Sequence, residues 1–251
     1  MFLQTLHIDI NSFVSEIVRQ DYRTASVFRK HNIDFCCGGK WSLGMVCEMN
    51  DLKYESLKAE LENATRTIQL SNTLRFDQWR VDFLTEYIIN IHHHYLRDSL
   101  PKIREYLITF ADGHLNKFPY LSEVLKGFNY LYKDIFPHLD QEEEILFPYI
   151  RHIAHAYESK ESYASLLVRT LRKPVEEVMH HEHESISKTL YQLRELTENY
   201  TPPENACVSH RVAFSMLKEL DNDLVQHIYL ENNILFPKAV EMEKELLALK
   251  D

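Results

Sequence analysis

Apolar residues recur at the three- and four-residue spacing of amphipathic helices along almost the whole chain. Alternating strand patterns are absent from the sequence. The pattern predicts an all-α fold with four long helices, at about residues 79–110, 120–150, 174–197 and 208–236. Four amphipathic helices joined in this way favour an antiparallel four-helix bundle.

The first part of the chain predicts a separate unit. Three of the five glycines fall at 38, 39 and 44, which marks a tight non-helical feature after the segment SVFRKHNIDF. The polar stretch ENATRTIQLSNT at 62–73 predicts a linker. We therefore expect a small helical N-terminal domain at 1–60 and a four-helix bundle at 77–245.

Composition excludes several classes of function. The formal net charge is −10, whereas nucleic-acid binding needs a basic surface, so we expect no nucleic-acid partner. No apolar run reaches the roughly 20 residues of a membrane span, and the start of the sequence lacks a signal-peptide pattern. The four cysteines lack the spacing of a disulfide framework. We expect a cytoplasmic protein that makes no membrane contact.

A near-repeat in the sequence indicates the chemistry. HLDQEEEILFP starts at His138 and HIYLENNILFP starts at His227. In a helix, residues i and i+4 share a face, so each histidine and the glutamate four positions later can bind one site together. Only the first carboxylate is common to both copies. This selects Glu142 to match Glu231, and Glu143 and Glu144 are interpreted as solvated.

Two such pairs should face further ligands on the other two helices. In MHHEHES, His183 falls inside the apolar stripe of the third predicted helix. In NIHHHYLRDSLPKI, either His92 or His93 fills the stripe of the first helix, and periodicity does not choose between them.

A buried set of four histidines and two glutamates predicts a two-metal site. Without a cation, such a cluster would cost several kcal/mol in desolvation and repulsion. A structural zinc site would be closed, with about four ligands that usually include cysteine. Two six-coordinate ions need about twelve bonds, of which four histidines and two bridging glutamates supply about eight. The predicted site is therefore open, with iron the favoured metal and manganese the second.

These segments resemble a known family. HLDQEEEILFP, MHHEHES and HIYLENNILFP are similar to the hemerythrin-like domain of the RIC (repair of iron centres) proteins of the YtfE/ScdA type. VFRKHNIDFCCGGKWSL is similar to the small N-terminal domain of that family, which carries a Cys-Cys-Gly-Gly signature. The resemblance covers most of the chain. It implies an oxo- or hydroxo-bridged di-iron centre that serves to restore iron–sulfur clusters damaged by oxidative or nitrosative stress.

The resemblance also implies a ligand set. In the family, a histidine eight residues before the proline of a Leu-Pro pair is a ligand, and Pro101 then selects His93 over His92. Pro137 directly precedes one ligand and predicts a bend or a restart of that helix. The implied metal ligands are His93, His138, Glu142, His183, His227 and Glu231.

Cys36 and Cys37 leave two interpretations open. A thiolate near basic residues would form a redox-active or metal-handling pair, whereas a buried thiol on a glycine turn would be structural. The resemblance associates this segment with the repair role.

The sequence is compatible with three functions. The first is repair by iron donation or nitric oxide handling, with iron–sulfur proteins as clients and nitric oxide or oxygen as small ligands. The alternatives are a hemerythrin-like oxygen or nitric oxide sensor and a di-metal oxidase or peroxidase. No catalytic residue is identified, and a donor role is favoured over an enzymatic one, with nitric oxide reduction kept open. A homodimer is compatible with the sequence.

Overall fold

The chain divides into two compact units in the computed structural model. One comprises Met1–Thr73 with Thr197–Lys218, and the other comprises Leu74–Leu196 with Glu219–Asp251. The structure describes residues 3–4, 8–35, 41–65, 67–68, 74–160, 168 and 175–248, and for 3–4, 67–68 and 175–181 only the backbone. Helices dominate this part of the chain, which confirms the predicted all-α class.

The part of the first unit before residue 74 contains short helices and one small strand pair, and its second part, Thr197–Lys218, includes the start of a longer helix at Val208–Leu230. Strand β1 (Leu3–Gln4) pairs antiparallel with β2 (Thr67–Ile68), which the sequence pattern did not predict. Ser42 caps a helix by accepting a hydrogen bond from the backbone N–H of Met45. The helices are α1 (Val14–Gln20), α2 (Thr24–Lys30), α3 (Leu43–Met49) and α4 (Tyr54–Ala64).

The long helices form four rods of an antiparallel bundle, as predicted, and three of the rods contain a π-helical turn. Rod A consists of α5 (Val81–Tyr87), π1 (Ile88–His93) and α6 (His94–His114), after a 3₁₀ turn at Phe76–Gln78. Rod B consists of α7 (Leu121–Gln141), π2 (Glu142–Leu146) and α8 (Phe147–Ser159). Rod C is α9 (Val175–Leu196), and rod D consists of α10 (Val208–Leu230), π3 (Glu231–Leu235) and α11 (Phe236–Ala248).

Rods B and D extend further than the sequence predicted. We expected the second and fourth helices to end near residues 150 and 236, with a further helix or an ordered connection at 151–172, whereas the rods continue to Ser159 and Ala248. Pro148 and Pro237 each lie in the first turn of the α-helical segment that follows a π-helical turn, and neither ends its rod. Pro137 lies inside α7, which runs without a break to Gln141.

Apolar side chains on the inner faces of the rods form the core of the second unit. Leu100, Phe128 and Ile135 are fully buried. Rods B and C approach closely at Gly127, where an added Cβ would lie 3.2 Å from Cδ2 of Leu193. Among the helices that the structure describes, none combines the length and the apolar character of a membrane span.

Replacing Phe128 by Ala should destabilise the bundle. The ring is fully buried on α7, so its removal leaves a cavity and should lower the free energy of unfolding by about 3–5 kcal/mol. Lys126→Ala, on the exposed side of the same helix, should change it by less than about 0.5 kcal/mol. Denaturant unfolding of the full chain measures both, and equal stability of the two variants would contradict the packing.

Candidate metal centre

Six side chains from the four rods meet in one buried polar cluster. They form two overlapping groups, and within each group the ligand atoms lie within 4.8 Å of one another. Both glutamates belong to both groups, whereas each group has two histidines of its own. The 93/227 position consists of His93, His227, Glu142 and Glu231, and the 138/183 position consists of His138, His183, Glu142 and Glu231.

Three π-helical turns lie where the ligand-type side chains enter the cluster. His93 ends π1, Glu142 begins π2 and Glu231 begins π3. A π turn inserts one residue and so rotates the face that follows by roughly 100°. The two His-x-x-x-Glu pairs keep helical spacing, with Nε2 of His138 lying 3.4 Å from Glu142 and Nε2 of His227 lying 3.0 Å from Glu231.

Glu142 and Glu231 form the centre of the cluster, and both are completely buried. From the residues that the structure describes, neither oxygen of Glu142 accepts a hydrogen bond, and nor does Oε2 of Glu231. Leaving a buried charged oxygen unsatisfied costs several kcal/mol. Two ionised carboxylates at this depth therefore require positive charge close to them.

The orientation of the imidazoles indicates where that charge lies. Three of the four cluster histidines have an oxygen atom next to Nδ1, so Nδ1 carries a proton and Nε2 presents a lone pair whenever the imidazole is neutral. These contacts are His93 with Glu143 at 2.9 Å, His138 with Glu182 at 2.8 Å, and His183 with Asn232 at 2.9 Å.

The Nε2 atoms of the four imidazoles lie close to one another in the centre of the cluster. Nε2 of His138 lies 3.3 Å from Nε2 of His183, and both of these imidazoles carry their proton on Nδ1. In the other half, Nε2 of His93 lies 3.1 Å from Nε2 of His227. Two facing lone pairs repel each other unless a cation lies between them. The geometry therefore fits a site that holds positive charge between the Nε2 atoms.

The pKa values of the cluster show the same demand for positive charge. Burial lowers the pKa of His183, but the neighbouring carboxylates of Glu142 and Glu231 outweigh it and raise the pKa to about 10. Burial also lowers the pKa of His227, and the Glu231 carboxylate raises it above its ordinary value. For Glu231, burial acts to raise the pKa, but His227 and His183 hold it well below the usual range.

The structure explains why the two sequence copies share more than a histidine and a glutamate. The residue after each glutamate, Glu143 or Asn232, accepts a hydrogen bond from a histidine of a neighbouring rod. The phenylalanine of each Ile-Leu-Phe-Pro segment stacks on that same histidine. Ring centroids are 5.6 Å apart for Phe147 with His93 and 6.1 Å apart for Phe236 with His183.

Four imidazoles and two carboxylates are a donor set that suits first-row transition metals with high coordination number. The orphaned carboxylate oxygens and the opposed imidazole nitrogens are the atoms that such cations would bind. The six side chains therefore fit a cation-binding site.

Two family models together cover most of the chain. Residues 10–65 match ScdA_N, described as a domain of unknown function (DUF542). Residues 85–239 match the hemerythrin HHE cation binding domain. The second match contains all six side chains of the cluster.

Curated relatives match both regions together. The iron-sulfur cluster repair protein YtfE of Enterobacter sp. (strain 638) is 30% identical over 233 residues, which cover 92% of this chain and 97% of that protein. YtfE of Edwardsiella ictaluri (strain 93-146) is 32% identical over 218 residues, which cover 87% and 91%. This chain belongs to the YtfE family of iron–sulfur cluster repair proteins. The YtfE of Pectobacterium carotovorum subsp. carotovorum (strain PC1) is 31% identical over 221 residues, which cover 88% and 93%.

Within this YtfE-family chain, all six side chains predicted as ligands come together, and their role as ligands remains a prediction. His92 is also buried, but its Nδ1 lies 3.0 Å from Asp223 and it belongs to neither group. Pro137 does not misdirect His138, which reaches the cluster. Cys36 and Cys37 lie outside the described residues.

The interpretation of Glu143 as a solvated residue is wrong. Its carboxylate accepts a hydrogen bond from His93 and pairs with Arg97 at 3.1 Å, and only 28% of its side chain is exposed. Glu144 is exposed, as expected. The sequence carried a signal for this role, because a hydrogen-bond acceptor follows the glutamate in both copies.

The neighbouring histidines of rod A provide a test of the cluster. His93→Ala should lower the bound cation per chain to half or less, because it removes a nitrogen from the centre of the cluster. His92→Phe, which keeps a ring at the adjacent position, should leave the cation content unchanged. Metal analysis of the purified full-length variants measures both, and a reversed order would contradict the placement of His93.

Proposed function

We propose that this chain binds two iron ions between the six side chains of the buried polar cluster. We propose that it uses these ions in the repair of damaged iron–sulfur clusters. One observation carries the proposal: two groups of ligand-type atoms overlap through Glu142 and Glu231. A glutamate shared by two groups is suited to bridge two ions, which in two-metal sites lie about 3.5–4 Å apart. The relatives named as iron-sulfur cluster repair proteins support the function.

Iron is the proposed metal because the donors are imidazole and carboxylate. Thiolate ligands would favour zinc or an iron–sulfur cluster, and a site made of oxygen ligands alone would favour magnesium or calcium. His93, His138, His183 and His227 would each hold one ion, and Glu142 and Glu231 would bridge both. When bound, the two ions would supply exchangeable iron and open coordination positions.

The protein side chains leave part of each coordination sphere free. Four histidines and two bridging carboxylates supply about eight of the roughly twelve bonds of two six-coordinate ions. We propose that nitric oxide or oxygen binds in the remaining positions. The six ligand-type side chains are each 3% exposed or less. The side chains packed around them therefore exclude bulk water and hold them in position.

The client proteins, the role of the cysteine pair, the domain limits, the location and the oligomeric state are also proposals. Its clients would be iron–sulfur proteins, and the Cys36–Cys37 segment would take part in handling metal or electrons. The domain limits 1–60 and 77–245, a cytoplasmic location and a homodimer remain proposals from the sequence.

Replacing a bridging carboxylate should disable both metal positions. Glu231→Leu should lower bound iron well below two per chain and abolish the near-ultraviolet absorption of a bridged di-iron centre, because both ions lose a ligand. The matched control is Glu144→Leu, an exposed residue of π2, which should keep full iron and an unchanged spectrum. Full iron and a normal spectrum in Glu231→Leu would contradict the ligand assignment.

Iron transfer tests the donor role directly. The iron-loaded chain is mixed with an apo form of an iron–sulfur protein, sulfide and a thiol, and cluster formation is followed by absorption and by recovery of the client's activity. We expect clusters to form as iron leaves the chain, and Glu231→Leu should transfer far less. Retention of iron with reversible binding of nitric oxide or oxygen would instead indicate a sensor.

A further inference from the structure

The two halves of the metal centre are related by an approximate two-fold repeat of contacts. Rods B and D each contribute a His-x-x-x-Glu pair, and rods A and C each contribute one histidine, His93 or His183. The contacts of Glu143 and Asn232 described above obey this relation. Under the same relation, position 92 on rod A is equivalent to position 182 on rod C, because each directly precedes the histidine of its rod.

Position 182 anchors a histidine of the centre. Oε2 of Glu182 lies 2.8 Å from Nδ1 of His138. This hydrogen bond fixes the tautomer of His138 and directs Nε2 into the cluster. Since Asn232 anchors His183, both imidazoles of the 138/183 position are held through Nδ1.

The residue at position 92 does not make the contact that the two-fold relation predicts for it. It holds a histidine, which stacks almost parallel on His227 with ring centroids 5.8 Å apart. Nδ1 of His92 lies 3.0 Å from Oδ1 of Asp223. The Asp223 carboxylate therefore pairs with His92 and not with His227. Nδ1 of His227 is buried and has no hydrogen-bond partner among the described residues.

The geometry points to two cation positions of unequal affinity, and it assigns the lower affinity to the 93/227 position. This inference rests on the proposed two-iron function and identifies the ion that is given up in repair. An outer partner on Nδ1 orients a ligating histidine and raises its basicity, and its loss typically lowers metal affinity by about 10–100-fold. The 138/183 position has two anchored imidazoles, whereas the 93/227 position has one, His93.

Chelator kinetics on the iron-loaded full chain test the inequality. With excess ferrous chelator under reducing anaerobic conditions, we expect two phases of equal amplitude, one iron each, whose rates differ by about 10–100-fold. Loss of both irons in a single phase would overturn the inference. Binding of two irons would still be established by the total amplitude, so the proposed function would survive that result.

The equivalent positions supply variants that assign each phase. His92→Glu combined with Asp223→Asn places a carboxylate beside His227, and the second change removes the charge that would repel it. The fast phase should slow toward the slow one, whereas Asp223→Asn alone should not slow it. An unchanged fast phase in the folded double variant would overturn the assignment.

The reciprocal variant removes the anchor from the other half. Glu182→His should accelerate the slow phase toward the fast one, and Glu184→His, an exposed neighbour on rod C, should leave both phases unchanged. Acceleration of the fast phase alone by Glu182→His would contradict the assignment. Circular dichroism checks that each variant is folded, and either variant decides the question without the other. A wild-type chain that binds no iron would overturn this inference and the proposed function together.

Discussion

The metal centre depends on two carboxylates buried between four imidazoles. Glu142 and Glu231 are inaccessible to solvent, and most of their oxygens have no hydrogen-bond donor among the described residues. Charge at this depth is tolerated only beside opposite charge. Cations shared by both carboxylates would satisfy the glutamates and the facing imidazole nitrogens at once. Most features of the surrounding bundle can be understood as means of holding that arrangement in place.

The repeated segments of rods B and D support the metal centre, one from each rod. Each copy supplies a histidine and a carboxylate for the centre, an acceptor for a histidine of another rod, and a phenylalanine that stacks on that histidine. The proline that follows lies in the first turn of the next α-helical segment, and the rod continues through it. One short segment therefore provides ligands, their supports and part of the apolar core.

The sequence predicted the ligand-type residues well because the repeat fixes both residue type and spacing. It predicted the supporting contacts poorly, because Glu143, Glu182 and Asn232 act across rods, and their partners depend on a register that no single helix determines. Periodicity alone left the choice between His92 and His93 open for a related reason, and only the family resemblance selected His93. Both fall in the π-helical turn π1, where a period of 3.6 residues no longer describes which side chain points inward.

The most direct test of the central claim is a crystal structure of the iron-loaded full chain, with anomalous diffraction measured on both sides of the iron absorption edge. Our interpretation predicts two iron peaks about 3.5–4 Å apart, each bound by two of the four histidines, with Glu142 and Glu231 spanning both. A single peak, or the same side chains gathered around water alone in iron-replete protein, would contradict it.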